Sequence, residues 1–224
     1  MDKIPFSVYD FFGYLTAGLV VVAAADFAYR NGSGLNVPLG LEATFVWLVI
    51  IYATGHIIAS FSAFLWEDTL ARRWLGPPEE ILFLDKRSGK FREKVFSGYH
   101  RALPDETKKR VIDKAKPTGI NKAGRALFYL CWAKVMQDNR VADRLNTFLN
   151  LYGFARNTSI AAAIACLILL AGALLNTRAG PDFMVPRLGW AAAALFAAVA
   201  LLYRYLKFYR QYTLQVFVGY AEMA

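Results

Sequence analysis

The chain has 224 residues, 57% of them hydrophobic, and a formal net charge of +9. Soluble domains hold about 45–50% apolar residues, so this composition argues against an ordinary soluble domain. In a membrane setting the positive charge points to the positive-inside rule and anionic lipid before nucleic acid. The only cysteines are Cys131 and Cys166, and the only histidines His56 and His100. Their separation fits neither a disulfide framework nor a metal site, and no cofactor is expected.

The start, Met1-Asp2-Lys3-Ile4-Pro5, lacks the basic n-region of a secretory signal, so the first apolar stretch is expected to be retained. A helix needs about 20 apolar residues to cross a bilayer core. Four stretches approach that: Phe11 to Tyr29, Thr44 to Trp66, Ser159 to Leu175 and Leu188 to Tyr205. Asn31 to Gly34 with Pro38 breaks the chain between the first two, and Asn176, Gly180, Pro181 and Pro186 between the last two. The fold class expected is all-α: a four-helix transmembrane bundle with a helical cytoplasmic domain inserted between spans 2 and 3. The predicted divisions are 1–66, 67–158, 159–205 and an amphipathic tail, 206–224.

Lys and Arg set the orientation. The loop from Asn31 to Ala43 holds neither, with Arg30 at its edge, and the loop from Asn176 to Arg187 holds two, Arg178 and Arg187, whereas residues 67–158 hold nineteen, against eleven acidic residues. Arg72, Arg73 and Arg156 lie close to span ends, so both termini and the middle segment are expected in the cytoplasm, with the spans in a bacterial inner membrane.

Within the middle segment, the second span is predicted to continue as a helix to Leu75, where Gly76-Pro77-Pro78 stops it. A helix is predicted over 90–102, with Phe91, Val95 and Phe96 on one side. Another opens at Pro104-Asp105-Glu106 and ends at Pro117-Thr118-Gly119. The spacing of Leu127, Leu130, Cys131 and Val135 predicts a helix over 122–137 with one buried stripe. From Arg140 a helix carrying Leu145, Phe148, Leu149 and Tyr152 is predicted to run into the third span. In the tail, Tyr205, Phe208, Tyr209, Tyr212 and Val216 share a helix face. That face suits either the inner leaflet or the middle domain.

Ionisable residues inside spans are the first places to look for function. Tyr52, His56 and Ser60 are spaced i, i+4, i+8 and form one polar stripe. Imidazole as a side-chain type titrates near neutral pH, which suits a pore lining or a proton relay. The plainer alternative is a neutral histidine bonding between helices. Asp26, toward the outer end of span 1, is expected to pair with Arg30 one turn on. The small-residue pairs Gly13/Ala17, Ala161/Ala165 and Ala193/Ala197 predict close helix packing and a homo-oligomer. Gly119 to Ala126 resembles a phosphate loop but lacks its Lys, its Ser/Thr and a preceding strand. The run Lys108, Lys109, Arg110, Lys114 and Lys116 reads as a solvated helix face, or as a surface for anionic lipid before nucleic acid. No Ser/His/Asp, Cys/His or paired-carboxylate constellation occurs, so no catalytic site is expected.

Three stretches, Tyr9-Asp10-Phe11-Phe12-Gly13-Tyr14-Leu15, Gly55-His56-Ile57-Ile58-Ala59-Ser60 and Asn150-Leu151-Tyr152-Gly153-Phe154-Ala155-Arg156-Asn157, together with the span order, resemble poorly characterised bacterial four-span inner-membrane proteins. Some of those are encoded in anti-phage defence loci. The resemblance implies a membrane effector or sensor working with a cytosolic protein partner. A small ion channel or transporter using the His56 stripe is the alternative.

Overall fold

The computed structural model describes residues 8–29, 40–84, 91–175 and 180–223. Every regular element among them is helical: α1 (Val8–Tyr29), α2 (Leu41–Ser62), a π-helical segment (Ala63–Leu75), α3 (Pro78–Ile81), α4 (Phe91–Val95), α5 (Asp105–Ala115), a 3₁₀ turn (Lys116–Thr118), α6 (Arg125–Val135), α7 (Asn139–Leu175) and α8 (Pro181–Glu222). Four helical stretches are long and apolar enough to cross a membrane, and they fall in α1, in α2 with its π-helical continuation, in α7 and in α8. Asn31 to Pro38 and Arg30 lie outside the described residues.

The chain divides into two compact units, Met1–Trp66 with Gly153–Arg204, and Glu67–Tyr152 with Tyr205–Ala224. The divisions fall inside α7 and α8, each a single uninterrupted helix.

In the first unit α7 is the most enclosed helix, burying Ile160, Ala161, Ala162, Ala165, Cys166, Leu169 and Ala173. Ala17 of α1 and Ile58 of α2 pack on Ile160 and Ala161. Ala24 and Ala28 of α1 and Ala191 of α8 pack on Ala165, Cys166 and Leu169. Small residues let helix axes approach where no hydrophobic force separates helix from lipid. Ala161 and Ala165 do this as expected, but on α8 the inward residues are Ala191 and Ala198, while Ala193 is exposed. The predicted Ala193/Ala197 pair is off by a fraction of a turn. The loop predicted through Pro186 also ends earlier. Pro181 is the first residue of α8 and Pro186 sits within it. Proline suits the first helical position because its N–H would lack an intrahelical acceptor, which accounts for Pro181; Pro186, five residues on, removes one helical hydrogen bond.

The second unit has its own core: Leu82, Leu103, Val111, Ala115, Leu127, Cys131, Val135, Leu145, Val216, Phe217 and Tyr220. The α6 stripe of Leu127, Cys131 and Val135 is fully buried at i, i+4, i+8 spacing. Gly119 adopts φ 83, a left-handed conformation natural for glycine, and so closes the 3₁₀ turn after α5. The end of α8 belongs to this core: Val216 and Phe217 are inaccessible, and Tyr152 lies among Tyr205, Tyr209 and Tyr212 with ring centroids 5.5–6.2 Å apart. Packing against the middle segment, not the inner leaflet, accounts for the aromatic stripe.

Two local predictions need correction. The helix expected over 90–102 is only the five residues of α4, followed by turns through His100. Of its predicted core face Phe91, at 79%, and Val95 are exposed, and only Phe96 is half-buried, edge-on to Trp74. Ser97-Gly98 lowers helix propensity there, and burial of Tyr99, whose hydroxyl donates to the Gly76 carbonyl at 3.0 Å, turns the chain inward. Beyond α2 the expected helical extension exists, but it is π-helical to Leu75 and ends at Gly76 with φ 98.

Candidate functional site

Within the first unit, the chemistry-bearing side chains gather around the crossing of α1 and α2. Gly18 and Gly55 make that crossing. A methyl on Gly18 would stand 1.8 Å from the Ile51 carbonyl oxygen, and one on Gly55 2.0 Å from that of Tyr14. Each glycine thus directs a Cα hydrogen at the carbonyl four residues before the other glycine. Such Cα–H···O contacts contribute about 0.5–1 kcal/mol each. Gly13, named from the sequence for close packing, meets only the Phe154 ring at 3.9 Å.

The close crossing brings aromatic side chains of the two helices together. Tyr14 stacks on His56 with centroids 4.1 Å apart, and Tyr52 meets the same ring edge-on at 4.6 Å. Phe11 covers Tyr52 at 5.4 Å. His56 is exposed and Tyr52 half-buried. Ser60 is exposed too, and its hydroxyl donates to the His56 carbonyl at 3.2 Å, within its own helix. His56 and Ser60 therefore face outward within one chain, and Tyr52 is partly covered. Asp26 is half-buried in α1, and its expected partner Arg30 lies outside the described residues.

A second polar group, missed in the sequence, joins α7 to its neighbours. Trp66 Nε1 donates to Ser159 Oγ at 3.2 Å, and Ser159 Oγ donates on to the Ala198 carbonyl at 2.8 Å. Ser62 and Asn157, both buried, meet at 2.6 Å. The Trp66 N–H is thus used inside the unit. The spacing of Ser62, Trp66, Asn157 and Ser159 offered no hint of pairing, because the partners are more than ninety residues apart.

Arg187 lies in α8 rather than in the loop before it. It is 2% exposed in α8, with its guanidinium 3.2 Å from the Phe183 ring centroid. Its Nε donates to the Ala28 carbonyl at 3.2 Å and its Nη1 to that of Phe183 at 2.8 Å. Ala28 lies in the last turn of α1, where carbonyls lack intrahelical donors and favour a cation.

In the second unit the basic run of α5 is largely committed. Lys108 pairs with Asp105 at 3.1 Å and is only 12% exposed, and Lys116 pairs with Asp113 at 2.7 Å. Lys114 turns inward to donate to the carbonyls of Tyr220, at 3.2 Å, in the last turn of α8, and of Met223 just past it. Lys109 and Arg110 remain exposed. The run is thus less a single cationic face than the sequence suggested. Elsewhere Arg72 bonds Glu67 at 3.0 Å, Asp68 at 3.3 Å and the Tyr209 hydroxyl at 3.4 Å, fastening the π-helical segment to α8. Burial pushes the Tyr209 phenol up to about 12 against the opposing effect of Arg72, and pushes the Cys131 thiol up to about 12. A protonated thiol is a poor nucleophile.

Among the described residues, no three His, Cys, Asp or Glu side chains converge on a possible metal position. The geometry offers helix-joining polar locks, capped helix ends and one outward-facing imidazole, which are means of holding helices together. No protein-family model, curated protein or solved structure matches the chain.

Proposed function

We propose that the protein is a multi-pass inner-membrane effector or sensor subunit, in which four spans form an oligomeric bundle and a cytoplasmic helical domain receives a protein partner or signal. The termini lie in the cytoplasm in this scheme, on the distribution of Lys and Arg. The observation that carries it is helix continuity. Three membrane-length stretches extend without a break beyond the apolar region, through the π-helical segment to Leu75, through α7 from Asn139, and through α8 to Glu222. A stiff helix transmits a displacement that a flexible linker would absorb. The polar locks at Ser62/Asn157 and Trp66/Ser159/Ala198 hold those same helices to one another within the first unit. The sequence resemblance supports a role in anti-phage defence.

Limited proteolysis of the full chain in proteoliposomes tests the coupling. Residues 66–73 and 152–158 should resist cleavage, and a four-residue Gly/Ser spacer inserted after Tyr152 should abolish protection from phage while leaving the protein folded in the membrane. Rapid cleavage at either junction, or full protection with the spacer present, would remove the basis for coupling. Plating efficiency with and without the gene and its neighbours tests the defence role. A conducting path along the His56 stripe would have to be assembled from several copies. Ion flux in liposomes that His56→Ala abolishes would favour it.

A further inference from the structure

We propose that the exposed face of α2 around His56 is the contact surface for a second copy of this chain, with the two His56 rings meeting across a twofold axis along the membrane normal. The proposal rests on the reading of these helices as membrane spans. It adds the residue and the symmetry through which they associate.

The case begins with a polar group in the wrong surroundings. His56 is near the middle of the apolar stretch from Thr44 to Trp66, and it is exposed. Tyr14 stacks on one face of the ring and Tyr52 meets it edge-on, but neither contact is a hydrogen bond to a ring nitrogen. Among the described residues those nitrogens have no hydrogen-bond partner, since the Ser60 hydroxyl bonds to the backbone. Hydrocarbon offers no donor or acceptor, so an unmet polar group there is strongly unfavourable.

The geometry then selects the partner. A neutral imidazole has two tautomers, so the same ring nitrogen can donate in one copy and accept in the other, and one N–H···N bond can form across a twofold axis. Copies inserted with the same topology hold each residue at the same depth, and a twofold axis along the normal brings equal residues face to face. The remainder of the stripe suits close approach. Val49, Ala53, Ile57 and Ser60 are exposed beside His56, and Ala53 and Ser60 are small. The opposite face of α2 is already occupied, since Gly55, Ile58, Ala59 and Ser62 are turned into the first unit.

The test uses the full chain in native membranes and in liposomes. Ala53→Cys, Ser60→Cys and, as control, Leu195→Cys on the exposed side of α8 are each oxidised with copper phenanthroline. Cys131 and Cys166 are buried, so the unsubstituted chain supplies the background. The first two variants should form disulfide-linked dimers and the third should not. Interhelical hydrogen bonds in membranes average about 0.6 and reach about 1.7 kcal/mol. His56→Leu should therefore weaken dimerisation in liposomes, measured by single-molecule photobleaching, by about 3- to 20-fold. His56→Gln, which keeps a donor and an acceptor, should restore most of it.

A monomer at all protein-to-lipid ratios would overturn the proposal, as would equal cross-linking at Leu195→Cys or unchanged dimerisation of His56→Leu. Reaction of Ala53→Cys with a membrane-impermeant thiol reagent would also overturn it, because the face would then line water. Carbonate extraction separates the two levels of failure. A chain released by carbonate is not spanning the membrane, whereas a retained but monomeric chain refutes only the dimer.

Discussion

The tightest feature of the first unit gives its most quantitative test. In Gly18→Ala the new methyl would begin 1.8 Å from the Ile51 carbonyl oxygen and 2.9 Å from the Gly55 nitrogen. Backbone atoms, not a flexible side chain, occupy that space, so α1 and α2 must separate. Cβ atoms essentially never approach other atoms within 3.0 Å, so the Cβ–O distance must open by at least 1.2 Å. A gap of about 0.5–1 Å already forfeits a quarter to a half of each van der Waals contact. The two Cα–H···O contacts, together about 1–2 kcal/mol, would also be lost. Against this, alanine gains about 1 kcal/mol of helix propensity over glycine. The contact and propensity terms nearly cancel, so the overpacking cost decides, and the expected net loss is about 1–3 kcal/mol for Gly18→Ala and for Gly55→Ala. Reversible unfolding in mixed micelles would measure it. Gly153→Ala in α7 and Gly189→Ala in α8 are the controls, since nothing lies within 4 Å of a methyl at either position, and both should be neutral or stabilising. If Gly18→Ala were as stable as Gly153→Ala, the described crossing of α1 and α2 would be wrong.

Three further outcomes are expected. Ser159→Ala removes the acceptor for Trp66 and the donor for Ala198 and should cost about 1–2 kcal/mol in the same micelle assay; the Trp66 fluorescence of the folded variant should change with it. Lys114→Met removes the cation from the end of α8 and should loosen it by about 1–2 kcal/mol, read as faster hydrogen exchange confined to the last turns. Cys131 and Tyr209 have folded-state values raised to about 12 from ordinary values of 9.0 and 10.0. An acid whose folded value is raised contributes its full stability below the unfolded value and loses it as pH climbs toward the folded one. The second unit should therefore be insensitive to alkali up to about pH 9 and weaken progressively between about 9 and 12, each pH unit costing about 1.4 kcal/mol per fully coupled group. Circular dichroism with maleimide trapping of Cys131 would follow it, and trapping already complete at neutral pH in the folded protein would contradict the burial.

A run of about twenty apolar residues, or a Gly-Pro-Pro stop after Leu75, acts through nearest neighbours and backbone hydrogen bonding. The four membrane-length helices, the ends of α5 and the α6 stripe of Leu127, Cys131 and Val135 were therefore determined by the sequence itself. The Tyr52/His56/Ser60 stripe was legible for the same reason. What it faces was not, because exposure of His56 depends on where the Gly18/Gly55 crossing leaves the rest of α2. Only tertiary structure decided that Ser62 meets Asn157, that Trp66 reaches Ser159, that Arg187 closes the end of α1 and that Lys114 closes the end of α8. Each joins residues about ninety or more positions apart, and residue type alone does not say which of many donors will find which carbonyl. The same holds for the aromatic stripe of Tyr205, Tyr209 and Val216. Its periodicity announced a buried helix face, but a membrane surface and a protein core offer that face the same apolar environment, and only packing of Tyr205 and Tyr209 against Tyr152, and of Val216 in one core with Leu127, Cys131 and Val135, chose between them.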